Sequence, residues 1–198
     1  VWQSSSIYDP STHRITAIPD ATHITVGTAF TQALTSGSTV TTAFSQIYVS
    51  GVADVSILGL EFNGNRANNA GIAKWYWHNE AYLSSDRGII RDCYAHDAPS
   101  EGFQLGGNGV AALNNYVSVC GGNGIHFSGC QGAKAIGNYV YDVTKLGTAT
   151  DHADGCIIFS NTTGDTMIAN NYCDTGLSRV ASIDSSDNSS VVIVGNVI

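Results

Sequence analysis

The chain has 198 residues, of which only 12% are charged, and its 8 basic and 16 acidic side chains give a net charge of -8 at pH 7. This acidic balance argues against a nucleic-acid partner, because binding to phosphates requires a basic surface. No segment approaches the ~18 consecutive apolar residues of a membrane-spanning helix, and the length is that of one domain.

The first 39 residues are predicted to form a β-rich lead-in, either a cap or the first rungs of the structure that follows over residues 40–198. The chain starts at Val1 without a methionine or a signal peptide, and it ends at Ile198 inside a repeat. An open solenoid end needs a cap. We therefore expect the sequence to be a fragment or processed part of a longer solenoid.

A short phrase of four residues recurs at residues 91–94 (RDCY), 113–116 (LNNY), 136–139 (IGNY), 169–172 (ANNY) and 194–197 (VGNV). An apolar residue lies directly before each phrase, and Ile57 is its equivalent in the preceding coil. These residues form one column that is predicted to point inward: Ile57, Ile90, Ala112, Ala135, Ile168 and Ile193. The spacing is 22 to 33 residues, so a coil needs about 22 and the longer coils carry inserts. Such a coil cannot bury its apolar face alone and must stack on its neighbours. The repeat therefore predicts a parallel β-helix.

The third residue of each phrase is predicted to lie at a turn, where asparagine accepts unusual backbone angles and its amide can bond to the coils above and below. This ladder is Leu60, Cys93, Asn115, Asn138, Asn171 and Asn196. The residue after it points outward in each coil: Glu61, Tyr94, Tyr116, Tyr139, Tyr172 and Val197.

Upstream of each phrase lies an apolar-x-apolar triplet, which predicts a short strand with one buried face. Examples are Ile125–Phe127, Cys156–Ile158 and Ala181–Ile183. The middle residues form an outward row: Tyr48, Tyr82, Gln104, His126, Ile157 and Ser182.

The stretches Val55–Arg66 (VSILGLEFNGNR) and Trp75–Leu83 (WYWHNEAYL) resemble the first coils of the pectate-lyase-like right-handed β-helix superfamily. Within it, the pattern looks most like phage tailspikes and other polysaccharide depolymerases, with mannuronan C-5 epimerases next. The fold class is accordingly all-β, a right-handed single-stranded parallel β-helix of six or more coils. The resemblance implies an extended carbohydrate ligand, a homotrimer, and an extracellular or virion-tail location.

The residue two positions before each triplet is Glu101, Asn123, Asp154 or Arg179. Glu101 and Asp154 would then share a column two rungs apart, at about 10 Å. Inverting glycosidases hold their carboxyl groups ~6.5 to 9.5 Å apart, so one acid would protonate the glycosidic oxygen while the other activates water. The alternative is two turn carboxylates that accept backbone N–H bonds.

Asp97 is a further candidate catalytic acid. The Asp-Pro-His-Glu run of the epimerases is absent, and its nearest matches are residues 96–101 (HDAPSE) and 8–10 (YDP). His126 is placed on the rung between Glu101 and Asp154, where a carboxylate favours its protonated form. A lyase or epimerase would use His126 with a tyrosine, and the alternative is a solvated histidine. Tyr82 and Gln104 would line the groove.

Two inserts enlarge the 33-residue coils. The first carries Trp75 and Trp77, whose rings suit sugar faces but equally suit packing on the barrel. The second carries His152, which is predicted to bind substrate, within residues 148–154, a segment that offers hard and borderline metal ligands. Calcium needs six to eight oxygen ligands, so these few side chains are weak evidence for a calcium site. We therefore predict no metal site or cofactor, with calcium as the one ion to consider.

Five cysteines, an odd number, show no zinc spacing. Cys93, Cys156 and Cys173 are predicted to fill the core, whereas Cys120 and Cys130 flank one strand and could pair.

Three hypotheses remain open from the sequence. The first is a polysaccharide-degrading β-helix that uses paired carboxylates, the second is a non-enzymatic receptor-binding or structural shaft, and the third is a polysaccharide lyase or uronate epimerase. The coil signature specifies the fold and not the chemistry.

Overall fold

The structure is a computed structural model that describes residues 2–4, 7–9, 15–20, 23–26, 45–68, 79–143, 155–175, 181–185 and 190–198. The chain divides into two compact units, Val1–Phe44 and Ser45–Ile198. In the first unit the described residues form two antiparallel pairs, namely β1 (Trp2–Ser4) with β2 (Ile7–Asp9) and β3 (Ile15–Asp20) with β4 (His23–Val26). The predicted boundary at residues 39 and 40 lies outside the described residues.

The second unit consists of three parallel sheets. Sheet one contains β5 (Ile47–Ser50), β8 (Ala81–Ser84), β11 (Phe103–Asn108), β14 (Ile125–Gln131), β17 (Gly155–Ser160) and β20 (Ala181–Asp184). Sheet two contains β6 (Ser56–Leu58), β9 (Ile89–Arg91), β12 (Ala111–Leu113), β15 (Lys134–Ile136), β18 (Asp165–Ala169) and β21 (Ser190–Val194). Sheet three contains β7 (Glu61–Asn63), β10 (Tyr94–His96), β13 (Tyr116–Ser118), β16 (Tyr139–Tyr141) and β19 (Tyr172–Asp174).

Each of the first five coils contributes one strand to each sheet and then continues into the next coil, and the sixth contributes β20 and β21. The predicted all-β parallel β-helix is therefore confirmed. A 3-10 turn at Arg66–Asn68 interrupts the strands after the first coil. None of the helical segments in the described part of the chain is long and apolar enough to cross a membrane.

The asparagine ladder lies where the repeat predicts it. Asn138 Oδ1 accepts the backbone N–H and the Nδ2 of Asn115, both at 3.0 Å, and Asn171 Oδ1 accepts the same two groups of Asn138 at 2.9 Å. The Nδ2 of Asn138 also donates to the carbonyl of Ala112 at 3.0 Å. Both ends of each buried amide are therefore satisfied by neighbouring coils.

The unusual backbone angles predicted for the ladder belong instead to the residue before it. Asp92, Asn114 and Asn170 have φ of 52° to 54°, and glycine takes the equivalent place at Gly137 and Gly195. Asn, Asp and Gly tolerate this left-handed conformation at the lowest cost. The residue of positive φ makes the turn, and the following asparagine can then direct its side chain into the core.

The phase predicted for the fifth coil is wrong by one residue. β14 and β17 align Ile125 with Ile157 and His126 with Ile158, so the triplet is Ile157–Phe159 rather than Cys156–Ile158. Residues 155–159 are all buried, and an apolar run without alternation cannot fix its own phase. In the sixth coil Asp184, not Ser182, is level with Ile158.

The core is filled by large side chains of sheet one and smaller ones of the other sheets. Phe127 and Phe159 stack with centroids 4.4 Å apart, and both are buried. All five cysteines are buried free thiols, so the pairing of Cys120 with Cys130 is not formed. Burial raises the pKa of both thiols above its ordinary value, which keeps them protonated and inert.

Candidate functional site

The outer face of sheet one carries a row of aromatic and polar side chains. Tyr48, Tyr82, Gln104 and His126 occupy paired positions on β5, β8, β11 and β14. Adjacent members of the row are therefore about 4.8 Å apart along the helix axis. The rings of Tyr48 and Tyr82 stack with centroids 4.9 Å apart and planes 9° apart, and Tyr48 is 61% exposed.

His126 joins this row to an acid and a hydroxyl. Its Nδ1 lies 2.9 Å from Glu101 Oε1, and its Nε2 lies 2.7 Å from Ser160 Oγ. The side chains of His126 and Glu101 are only 18% and 15% exposed. The three groups come from three successive coils, because Glu101 precedes β11, His126 lies in β14 and Ser160 ends β17.

Asn123 fixes the carboxylate from a second direction. Its Nδ2 donates to Glu101 Oε1 at 2.8 Å, and its Oδ1 accepts the backbone N–H of Gly155 at 3.0 Å. Asn123 is itself buried. One oxygen of Glu101 therefore has two donors whose positions are set by neighbouring coils.

The hydrogen-bond pattern determines which ring nitrogen of His126 carries the proton. A carboxylate only accepts, so Nδ1 carries the proton toward Glu101. In the neutral ring Nε2 is then the acceptor for the Ser160 hydroxyl. The arrangement can remove a proton from Ser160, and it can also donate a proton once the ring is charged.

A second polar group lies next to the row at the start of β8. Asn79 Nδ2 donates to Gln104 Oε1 at 2.7 Å, which orients the Gln104 amide. The adjacent Glu80 is 2% exposed, and the Nε2 of Gln46 donates to its Oε2. Burial, with a smaller contribution from the charge of Asp97, raises the pKa of Glu80 to about 8. Glu80 is therefore mainly a neutral acid at neutral pH.

The structure places Asp97 apart from the hydrogen bonds of His126. Asp97 follows β10 of sheet three, where its Oδ2 lies 2.8 Å from Nδ1 of His96. His96 Nε2 lies 3.2 Å from Glu61 Oε1. This second acid–histidine group lies at the edge of sheet three, beside the tyrosines.

Four predicted site residues, Trp75, Trp77, His152 and Asp154, lie outside the described residues. The described residues contain no group of three His, Cys, Asp or Glu side chains that could hold a metal.

The sequence pattern predicts Glu101, His126, Tyr82 and Gln104 as site residues but not Ser160. Ser160 lies two residues after the outward position of the fifth coil, which is Ile158 and not the predicted Ile157. With the observed register, Ser160 pairs with Ser128 on the same face as His126. A correct assignment of the inward and outward positions in the fifth coil would therefore have predicted a hydroxyl near His126.

A different face of the solenoid carries the tyrosines of sheet three. Tyr116 and Tyr139 stack at 5.2 Å, and Tyr139 and Tyr172 at 4.4 Å, with planes within 5° of parallel. Tyr116 and Tyr139 are 38% and 40% exposed. Hydrogen bonding to Tyr141 is the largest cause that raises the pKa of Tyr116 to about 12. Tyr116 on this tyrosine face is therefore uncharged at physiological pH.

Comparison with protein-family models, with curated proteins and with solved structures returned no match for this chain.

Proposed function

We propose that this protein is a polysaccharide-active β-helix that binds an extended glycan along the outer face of sheet one and processes it at Glu101 and His126. The observation that carries the proposal is the row of Tyr48, Tyr82, Gln104 and His126 with Glu101 fixed beside it. The resemblance to the pectate-lyase-like superfamily, and to tailspike depolymerases within it, supports the same assignment. An extracellular or virion-tail location belongs to this proposal.

The chemistry of the row suits sugars. Aromatic rings contact the apolar faces of sugar rings, and amide and carboxylate groups bond to hydroxyls. The row of four strands extends over roughly 14 Å at the usual strand spacing, which favours a chain over a single small ligand. A net charge of -8 favours a neutral or weakly charged glycan over a polyanion.

Among the candidate reactions, hydrolysis is better supported than elimination or epimerisation through a tyrosine. The tyrosine nearest to His126 in the row is Tyr82, which lies two strands away on β8. Burial raises the pKa of Tyr82 above its ordinary value. A phenol held in its protonated form is a poor base. In paired-carboxylate hydrolysis Glu101 would be one of the two catalytic carboxyl groups, and Asp154 is the proposed second. No cofactor is assigned a role in this reaction.

The test is incubation with a panel of capsular, O-antigen and uronate polysaccharides. Binding, new reducing ends and the absorbance of unsaturated uronates are read in the same samples. We expect the wild type to bind at least one glycan and to release reducing ends from it, and Glu101→Gln to lower this release by about 100-fold or more. Glu61→Gln, which changes an exposed carboxylate of sheet three, is the matched control. Unchanged turnover in Glu101→Gln removes this residue from the mechanism.

A second candidate function, a non-enzymatic receptor-binding or structural shaft, is favoured by the tyrosine face. Stacked, uncharged and partly exposed aromatic side chains are typical of protein interfaces. We propose that this face contacts other copies of the same chain in a homotrimer. Assembly through sheet three leaves the outer face of sheet one open to glycan, so formation of a trimer is compatible with glycan processing.

A further inference from the structure

We propose that Ser160 is a nucleophile and that the Glu101–His126–Ser160 group hydrolyses ester-linked acyl substituents of the bound glycan. The proposal rests on the proposed function for its substrate, since the glycan positions the ester. The observation that carries it is the continuous chain from Glu101 Oε1 to His126 Nδ1 at 2.9 Å and from His126 Nε2 to Ser160 Oγ at 2.7 Å.

The order of the three groups is the one that nucleophilic catalysis requires. A serine hydroxyl is a weak nucleophile until a base takes its proton, and the base must be held in one tautomer by an acceptor on its other nitrogen. Glu101 supplies that acceptor, and Asn123 holds Glu101 through the same oxygen at 2.8 Å. Asn123 is thus a positioning residue.

The surroundings distinguish this group from a solvated surface cluster. Glu101 and His126 are 15% and 18% exposed, whereas Ser160 is partly exposed at the end of β17. Reduced contact with water strengthens hydrogen bonds and charge interactions. The acid and base are therefore sheltered, while the nucleophile remains accessible from the outer face.

The reaction proceeds in two balanced halves. In the first, Ser160 Oγ bonds to the acyl carbon while its proton moves to His126 Nε2, and the sugar alcohol leaves with that proton as the C–O bond breaks. In the second, water gives a proton to His126 Nε2 and bonds to the acyl carbon. Ser160 Oγ then leaves and regains the proton, so one ester and one water yield one acid and one alcohol.

The chemistry selects an ester rather than a glycosidic bond. A serine nucleophile attacks a planar carbonyl, and the negative charge then develops on the carbonyl oxygen, where hydrogen-bond donors stabilise it. The register pairs Ser128 with Ser160 across β14 and β17, so a second hydroxyl-bearing side chain lies next to the nucleophile on the same face. The substrate class is therefore an O-acylated polysaccharide.

The experiment uses the full chain with an O-acetylated polysaccharide from the panel that binds, and measures released acetate, reducing ends and binding together. We expect acetate release by the wild type and a loss of about 1000-fold in Ser160→Ala, with glycan binding retained. Ser50→Ala, an exposed serine of β5 on the same sheet, is the matched control. A fluorophosphonate probe should add its mass to Ser160 in the wild type and not in Ser160→Ala.

Acetate release that is absent in the wild type, or unchanged in Ser160→Ala, overturns this proposal. If reducing ends still appear in that case, the proposed glycan hydrolysis stands without it. If no glycan binds, the proposed function fails, and the fluorophosphonate probe then decides the reactivity of Ser160 on its own. An unlabelled Ser160 in the wild type overturns the assignment of a nucleophile.

Discussion

Glu80 shows how the fold changes the chemistry of a single residue. The side chain is 2% exposed at the start of β8, with the Gln46 amide on one of its oxygens. The same site leaves no room for a side chain at Gly64, where a Cβ would lie 2.7 Å from Ala98 Cα and also meet Glu80. Removal from water, more than any neighbouring charge, raises the pKa of Glu80 to about 8.

We expect Glu80 to make the protein less stable as pH rises from about 5 to about 8. Its pKa in the folded chain lies above its value in the unfolded chain. Over this window the folded state therefore keeps a proton that the unfolded state has released. The free energy of unfolding should fall by about 1 kcal/mol per pH unit from this group. Glu80→Gln should remove that fall, as measured by urea denaturation at several pH values.

The control for Glu80 is Glu61→Gln, which changes an exposed carboxylate and should leave the pH dependence as in the wild type. A constant difference in stability between Glu80→Gln and the wild type at every pH would contradict the assignment of a raised pKa.

At the scale of elements, the asparagine ladder ties the coils together. Asn138 is buried, and its Oδ1 accepts two donors of Asn115 while its Nδ2 donates to Ala112 and Asn171. Because Asn138→Ala leaves several of these groups buried and unpaired, we expect it to lower the free energy of unfolding by about 3 kcal/mol or more. Urea denaturation measures this loss.

Asn196→Ala is the matched control for the ladder. It removes the same amide from the last described rung, where the residue is only half-buried, so the expected loss is about 1 kcal/mol. Equal losses in Asn138→Ala and Asn196→Ala would show that stacking inside the ladder adds nothing.

The repeat predicts the elements well because each column is read over six coils. The inward column from Ile57 to Ile193 pairs in the structure as the sequence spacing requires. Prediction fails where a coil lacks alternation, as in the buried run of residues 155–159. Because of this one-residue error, the sequence pattern predicts Ile157 instead of Ile158 as the outward residue and does not identify Ser160.

The candidate site was predictable in part for the same reason. His126 and Glu101 stand in coils of regular phase, so their proximity followed from the columns. The bond between His126 and Ser160 depends on the irregular coil and required the structure. The sequence pattern also could not predict the burial of Glu80. This residue follows an insert in which the repeat does not indicate which residues point inward.

At the scale of the whole β-helical unit, the sheets divide the functions. Sheet one carries the proposed glycan row and the Glu101–His126–Ser160 group, whereas sheet three carries the tyrosine face. The separation follows from the solenoid, since residues of one column stay on one face through every coil. Binding and assembly can therefore be changed independently by substitution.

The homotrimer proposal predicts the effect of changes on the tyrosine face. We expect light scattering to give three times the chain mass for the wild type and a lower mass for the double variant Tyr116→Ser, Tyr139→Ser, because the stacked surface is lost. Tyr48→Ser, on sheet one, should leave the mass unchanged. A monomeric wild type, or a trimer that persists in the double variant, contradicts the proposed interface.

The most direct test of glycan processing on sheet one is a comparison of the wild type with His126→Ala on the polysaccharide panel. Binding and product release are measured in the same samples. We expect the variant to bind the same glycan with similar affinity and to release product at least about 100-fold more slowly, because His126 moves protons but contributes one contact among several. Equal product release by the two proteins, or no glycan bound by the wild type, would contradict the account.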